Sequence, residues 1–206
     1  MKLLVIGATG MVGSRIVNEA LSRGHDVVAA TRNPDRIEAR AGLTAEALDV
    51  TEVKRLSELA AGVDTVISAT SPRSSGKPEE EAVSYATALV AALGETRLVM
   101  VGGAGSLNLP DGTPVADVVP DAYAAEARAM RSAYKRIKAS DLDYTVQAPA
   151  GEIAPGERTG SFRLQTDVLL SDAEGNSRIS AEDYAVALLD EVEHPQFRRQ
   201  LFTAAY

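Results

Sequence analysis

The run Gly7-Ala8-Thr9-Gly10-Met11-Val12-Gly13 places a glycine at every third position. Glycine allows the positive φ of a sharp turn and presents no Cβ to a ligand resting on the backbone. A helix starting inside such a run adds unpaired N–H groups at the same place, which makes a site for an anion. Arg32 is a second candidate, because a guanidinium suits bidentate contact with phosphate. The hydroxyls that could move or orient a proton are Ser106, Tyr123 and Tyr134. Lys138 follows Tyr134 at the spacing by which a lysine can lower a phenol's pKa.

These groups need elements to hold them. The apolar run Leu3–Ile6 precedes the glycines, and Ser14–Arg23 follows them with apolar residues at helical spacing. Strand, glycine turn and helix in that order open a dinucleotide-binding βαβ unit, and Asp26–Thr31 supplies its second strand. The chain is therefore expected to bind NAD or NADP, with Gly7, Thr9, Gly10, Met11, Val12 and Gly13 around the pyrophosphate. An acid at the end of the second strand would bond the ribose hydroxyls, but Thr31-Arg32-Asn33 stands there instead. Arg32 is expected to hold a 2′-phosphate, which favours NADP; a solvated turn arginine is the alternative. Glu46–Leu48 reads as a third strand, after which Asp49 and Val50 are placed to meet the adenine edge, although Asp49 could equally cap the next helix.

Alternation continues with a helix over Val53–Ala60, a strand at Asp64–Ala69, a helix from Glu79 to Leu93 and a strand at Arg97–Val101. After the long connection from Gly102 to about Asp121 come a helix over Tyr123–Ala139, a strand at Tyr144–Val146 and an irregular loop from Pro149 to Gly160. A strand-like Arg163–Leu170 follows, then a helix capped by Ser180 and running through Glu193, with Asp183 as acidic partner, and a last strand at Gln200–Tyr206. The fold class is α/β, a Rossmann-type doubly wound parallel sheet covered on both faces. At 206 residues one domain is expected, spanning 1–206, with substrate-side segments at about 102–122 and 149–180.

A net charge of −8 argues against a nucleic-acid partner or an anionic membrane surface. The absence of cysteine excludes disulfides, thiolate metal sites and a cysteine nucleophile, and no metal site is expected. No apolar run approaches membrane-spanning length and no charged leader precedes the first strand, so a soluble, cytoplasmic protein is expected, a monomer or small homo-oligomer.

Val5–Ser14, Arg23-Gly24-His25 and Thr31-Arg32-Asn33 resemble the atypical short-chain dehydrogenase/reductases. Pro155–Gly160, Ser177–Ser180, Glu182–Ala185 and Phe202-Thr203 are similar to bacterial proteins carrying the name NADH-flavin reductase, relatives of NmrA-like proteins. The resemblance spans essentially the whole chain. It implies a Rossmann domain with a small C-terminal substrate region, and reduction of a flavin or quinone-like planar acceptor by NAD(P)H. It also implies that Ala69-Thr70 lies beside the cofactor and that Ser106 is the polar position after the fifth strand. Ala148-Pro149 and Ala124 depart from the pattern, which puts polar substrate contacts at those positions in doubt.

Tyr-x-x-x-Lys is the proton-donor motif of short-chain dehydrogenases, but Tyr123, Ala127, Met130, Tyr134 and Ile137 form one helical stripe of the kind that packs a core. Tyr134 should also lie about 16 Å along the axis from Tyr123, away from the site. Tyr123 and Ser106 are better placed, either to donate a proton or to orient the acceptor; solvated loop hydroxyls are the alternative. Glu157 and Arg158 could form a local ion pair that pins the loop, or bind an acidic substrate. Few acid–base groups suit an acceptor that takes hydride into its own ring, such as a flavin in a slot roofed by the loops from Gly102 and Pro149. A non-catalytic NADP-binding sensor resembling NmrA and a ketoreductase or epimerase are the alternatives.

Overall fold

The computed structural model describes the whole chain, Met1–Tyr206. Its apolar runs become strands β1 (Lys2–Ile6), β2 (Asp26–Thr31), β3 (Leu43–Ala47), β4 (Thr65–Ser68), β5 (Arg97–Val101), β6 (Tyr144–Ala148), β7 (Glu152–Ala154), β8 (Arg163–Thr166), β9 (Arg178–Ser180) and β10 (Leu201–Ala205). Between them run helices α1 (Met11–Ser22), α2 (Val53–Ala60), α3 (Pro78–Ala92), α4 (Asp121–Lys138) and α5 (Ala181–Glu193). The main sheet has the order β3-β2-β1-β4-β5-β6-β10-β8, parallel throughout except for β8, which runs antiparallel to β10.

Both faces of the central strands are apolar, so both must be covered. Leu4 and Ile6 of β1 share a core with residues of α2, α3 and α4, while Leu3 and Val5 share the opposite core with α1 and α5. The helix ends follow their sequence signals. Pro78 opens α3 with Glu79, Glu80 and Glu81 in its first turn, where the helix dipole favours negative charge. Ser180 Oγ accepts a hydrogen bond from Asp183 N at 2.9 Å and caps α5 as expected. No helix is long and apolar enough to cross a membrane.

The order in which strands are added reverses beside β1: β2 and β3 lie on one side and β4 on the other, with Ile6 level with Ser68. This switch point opens a crevice beyond the strand ends where α/β sheets bind ligands. Three boundaries differ from expectation. The third strand begins at Leu43 rather than Glu46, set by Gly42 at φ +75, and Leu48 leaves it to enter the core. The strand from Arg163 stops at Thr166 because Asp167 turns at φ +59, and the chain crosses so that Val168 bridges to Asn108. Strand β7 falls in the loop read as irregular and pairs with β9, which runs up to the Ser180 cap.

Candidate functional site

The three glycines of the first loop serve different ends. Gly7 has φ +80, and a Cβ there would lie 2.5 Å from Ala69 O. A Cβ on Gly13 would lie 2.1 Å from Gly7 O, so helix α1 can approach its strand only with glycine at this position. Gly10 is unlike either: its φ is −73, and a Cβ would meet nothing nearer than Gly7 O at 3.3 Å. The chain's own packing thus forbids a side chain at Gly7 and Gly13, whereas at Gly10 a Cβ would ask Gly7 O to give by only a few tenths of an ångström.

Gly10 is the N-cap of α1, which has no side-chain cap and no acid in its first turn. The first paired amide is that of Ser14, bonded to Gly10 O at 2.9 Å, leaving the N–H groups of Met11, Val12 and Gly13 without acceptors in the chain. Bare backbone together with free donors at a helix start fits a pyrophosphate. Thr9 Oγ1 lies 3.4 Å from Thr31 Oγ1 and ties the loop to the end of β2.

Arg32, next after β2, is exposed and makes no ion pair or side-chain hydrogen bond. Asp49 follows β3, and its Oδ1 accepts from Thr51 N at 2.9 Å and Thr51 Oγ1 at 2.7 Å. These bonds hold its carboxyl below the usual range, with nearby Arg32 adding to the effect. Asp49 therefore caps its own turn, while Glu52 is the N-cap of α2. The Val50 side chain is buried in the core. Ala69 N donates to Ile6 O at 2.9 Å, and Ser68 Oγ lies 3.2 Å from Thr70 Oγ1. The ends of β1 to β4 thus gather Gly7, Thr9, Gly10, Met11, Val12, Gly13, Arg32, Asp49, Val50, Ala69 and Thr70 along one sheet edge.

Sequence reasoning missed Glu81. It is buried on α3 and accepts from Ser74 N at 3.1 Å, Ser75 N at 3.0 Å and Ser75 Oγ at 2.8 Å, as well as from Ser74 Oγ and Tyr85 OH. Burial pushes its pKa up, but these donors outweigh it and hold the carboxyl at about 2. The available signal was a charged residue beside Ala82 and Tyr85 on an otherwise apolar helix face.

Ser106 and Tyr123 occupy contrasting surroundings. Gly103 and Gly105 let the turn after β5 lie against α4, since Cβ atoms there would come within 2.7 Å of Met130 Cβ and 2.5 Å of Ala127 O. Ser106 in this turn is 4% exposed, and its Oγ has no partner. Arg131 Nη1 fastens the turn by bonds to the carbonyls of Gly105, Ser106 and Leu107 at 3.0, 3.1 and 3.2 Å. Tyr123 stands in the first turn of α4, 65% exposed, with no hydrogen bond to Ser106. Tyr134 packs in the core as expected, and burial pushes its pKa up to about 12, the reverse of what a proton donor needs. Lys138 Nζ stacks 5.8 Å from the centre of the Tyr134 ring.

The segment Pro155–Gly160 is fastened to the helices of one face. Carboxylates of α1 and α5 clasp it: Gly156 N donates to Glu182 at 2.7 Å, Arg158 bonds Glu19 at 2.8 and 2.9 Å, and Gly160 N donates to Asp183 at 2.8 Å. Thr159 Oγ1 and Tyr206 OH also donate to Asp183, at 2.5 and 2.9 Å. Arg158 thus serves a structural pair, formed with Glu19 rather than with its neighbour Glu157. The lid from Gly102 joins a later segment instead, through Asn108 N to Asp167 O and Leu169 N to Asn108 O, both 2.9 Å. A concavity of about 840 Å³ lies between α2 and α3 on the outer helical layer.

The profile of a family described as NAD(P)H-binding matches residues 7–195. A protein of known structure from Burkholderia pseudomallei, named "putative exported protein", is 45% identical with a TM-score of 0.89, all of both chains being covered. A "putative epimerase" from Bacteroides thetaiotaomicron is 36% identical with a TM-score of 0.92, over 100% of this chain and 96% of that one. A "putative NADH-flavin reductase" from Streptococcus pneumoniae is 29% identical with a TM-score of 0.86, over 100% and 99%. Matched across residues 7–195 by that profile and along its full length by these structures, the chain belongs to the NAD(P)H-binding family.

Proposed function

We propose that the protein is an NADPH-dependent reductase of a small planar acceptor, a free flavin or a quinone-like ring. The observation that carries the cofactor half is Gly10: it is a glycine the fold constrains far less than Gly7 or Gly13, beside three N–H groups that the fold does not use. The amides of Met11, Val12 and Gly13 bind the pyrophosphate, and Thr9 fixes the loop. Arg32, free of any carboxylate, holds the 2′-phosphate. Asp49, with the Val50 backbone, meets the adenine, and Ala69-Thr70 forms the neighbouring wall.

When bound, the nicotinamide supplies a hydride, which a flavin or quinone ring takes up as its own electron sink. The acceptor half of the reading rests on what the chain offers for proton transfer. Tyr134 is sealed in the core, and the Ser106 hydroxyl is buried, so of these three candidates Tyr123 has the open hydroxyl. A carbonyl reductase or epimerase needs a tuned acid or base; here Tyr123 orients the acceptor, and Ser106 becomes available only if the turn held by Arg131 shifts. The name of the pneumococcal relative agrees with this reading. Cytoplasmic residence and a monomer or small homo-oligomer complete the proposal.

The test is steady-state oxidation of NADPH with FMN, riboflavin and a set of quinones, followed by nicotinamide absorbance. Saturable turnover with one of these acceptors is expected. Tight NADPH binding without turnover on any of them would move the protein to the sensor class, and turnover restricted to carbonyl substrates would make it a ketoreductase.

A further inference from the structure

The connection from β4 to α3, Ser71–Lys77, is short, polar and free of regular structure, the kind of segment that is ordinarily mobile. Here four of its donors, the N–H and hydroxyl groups of Ser74 and Ser75, converge on the single buried carboxylate of Glu81, which also takes the Tyr85 hydroxyl. Burying a carboxylate is costly unless its lone pairs are satisfied, and one known return for such an arrangement is a unique local conformation. What the arrangement fixes is a wall of the crevice. The loop continues directly from Ala69-Thr70, whose backbone lies where a Cβ on Gly7 would be. On α3, Tyr85, which shares Glu81 with the loop, is close enough to Arg32 for that charge to act on the phenol. The bidentate pair of Arg73 with Glu126 ties the loop in addition to α4, one turn beyond Tyr123.

We infer that Glu81 is a positioning residue for the dinucleotide: it touches no ligand itself but holds the Ser71–Lys77 loop in the shape that closes the crevice between Gly7 and Arg32. This rests on the NADPH reading above. Glu81→Gln keeps the size of the side chain but turns an amide N–H₂ toward part of the donor set, which unfastens the loop while leaving Gly10 and Arg32 in place.

The experiment is calorimetric titration of NADPH into wild type, Glu81→Gln, Tyr85→Phe and the Ser74→Ala/Ser75→Ala pair, with amide hydrogen exchange of residues 71–77 measured on the same samples. The expected result is a rise of about tenfold in Kd for Glu81→Gln, smaller rises for the other two, and loss of loop protection in the same order. The KM for NADPH should rise while kcat at saturation falls far less. Should Glu81→Gln fail to fold, the two milder variants carry the test. Unchanged NADPH affinity in the folded variants, with the loop freed or not, overturns the inference. Failure of the wild type to bind NADPH would instead overturn the functional reading beneath it.

Discussion

Alanine at Gly10 and alanine at Gly13 should fail in opposite ways. At Gly13 the new Cβ would sit 2.1 Å from Gly7 O, a clash with backbone that no side-chain rotation relieves. Overpacking of this kind costs about 1–3 kcal/mol, and the immobile partner puts Gly13→Ala near the upper figure. At about 2–4 °C per kcal/mol for a domain of this size, the melting temperature should fall by about 6–12 °C. At Gly10 the backbone is already in a conformation alanine adopts, and the nearest atom to the new Cβ is 3.3 Å away. The loss of a favourable N-cap and the stabilisation from a less flexible unfolded chain are each about 1 kcal/mol or less and opposite in sign, so the melting temperature should stay within about 4 °C of wild type. The methyl group nevertheless stands where the pyrophosphate must approach. Loss of one charge-assisted contact, about 1.5–3 kcal/mol, corresponds to about 10- to 100-fold weaker NADPH binding. Scanning fluorimetry paired with calorimetric titration reads both quantities. A Gly10→Ala protein that melts as low as Gly13→Ala, or that binds NADPH like wild type, would refute the division of roles.

Arg32→Ala should weaken NADPH by about one to two orders of magnitude and leave NADH nearly unchanged, because the lost contact is one only the 2′-phosphate makes; equal losses in parallel titrations would remove Arg32 from that role. Tyr134→Phe should leave turnover almost intact in the acceptor assay, whereas loss of a true general acid costs about 10²–10⁴-fold. Glu81 has a folded-state pKa of about 2 against an ordinary value of 4.5, so its contribution to stability is full above pH 4.5 and lost as pH falls toward 2. Urea unfolding across that window should show a steeper loss for wild type than for Glu81→Gln, and parallel curves would contradict the assignment.

The parts of this protein legible in the sequence are those where residue type dictates backbone. A glycine at every third position after an apolar run announces strand, turn and helix. Ser180 with Asp183 three positions on marks a helix start, and the stripe through Tyr134 marks a core face. The contacts that shape the site's surroundings carry no such period. Glu81 gains its meaning only when Ser74 and Ser75 fold back onto it, and Asp183 clasps Thr159 and Gly160 across more than twenty residues. The lid meets Val168 rather than the loop from Pro149 because Asp167 turns the chain toward it, a backbone event that neither hydropathy nor spacing signals. Ser106 shows the same limit. Its position after β5 is readable, but its burial depends on Gly103 and Gly105 letting the turn sink against α4.

The most direct test of hydride transfer to a planar acceptor is a single-turnover reaction of the protein with NADPH deuterated at either C4 face, mixed with FMN or a quinone and followed at the nicotinamide band. A primary isotope effect for one stereoisomer alone, with deuterium lost from that face, is the expected result. NADPH that stays bound and unoxidised with every acceptor, or that reacts without facial preference at the rate seen in protein-free buffer, would contradict it.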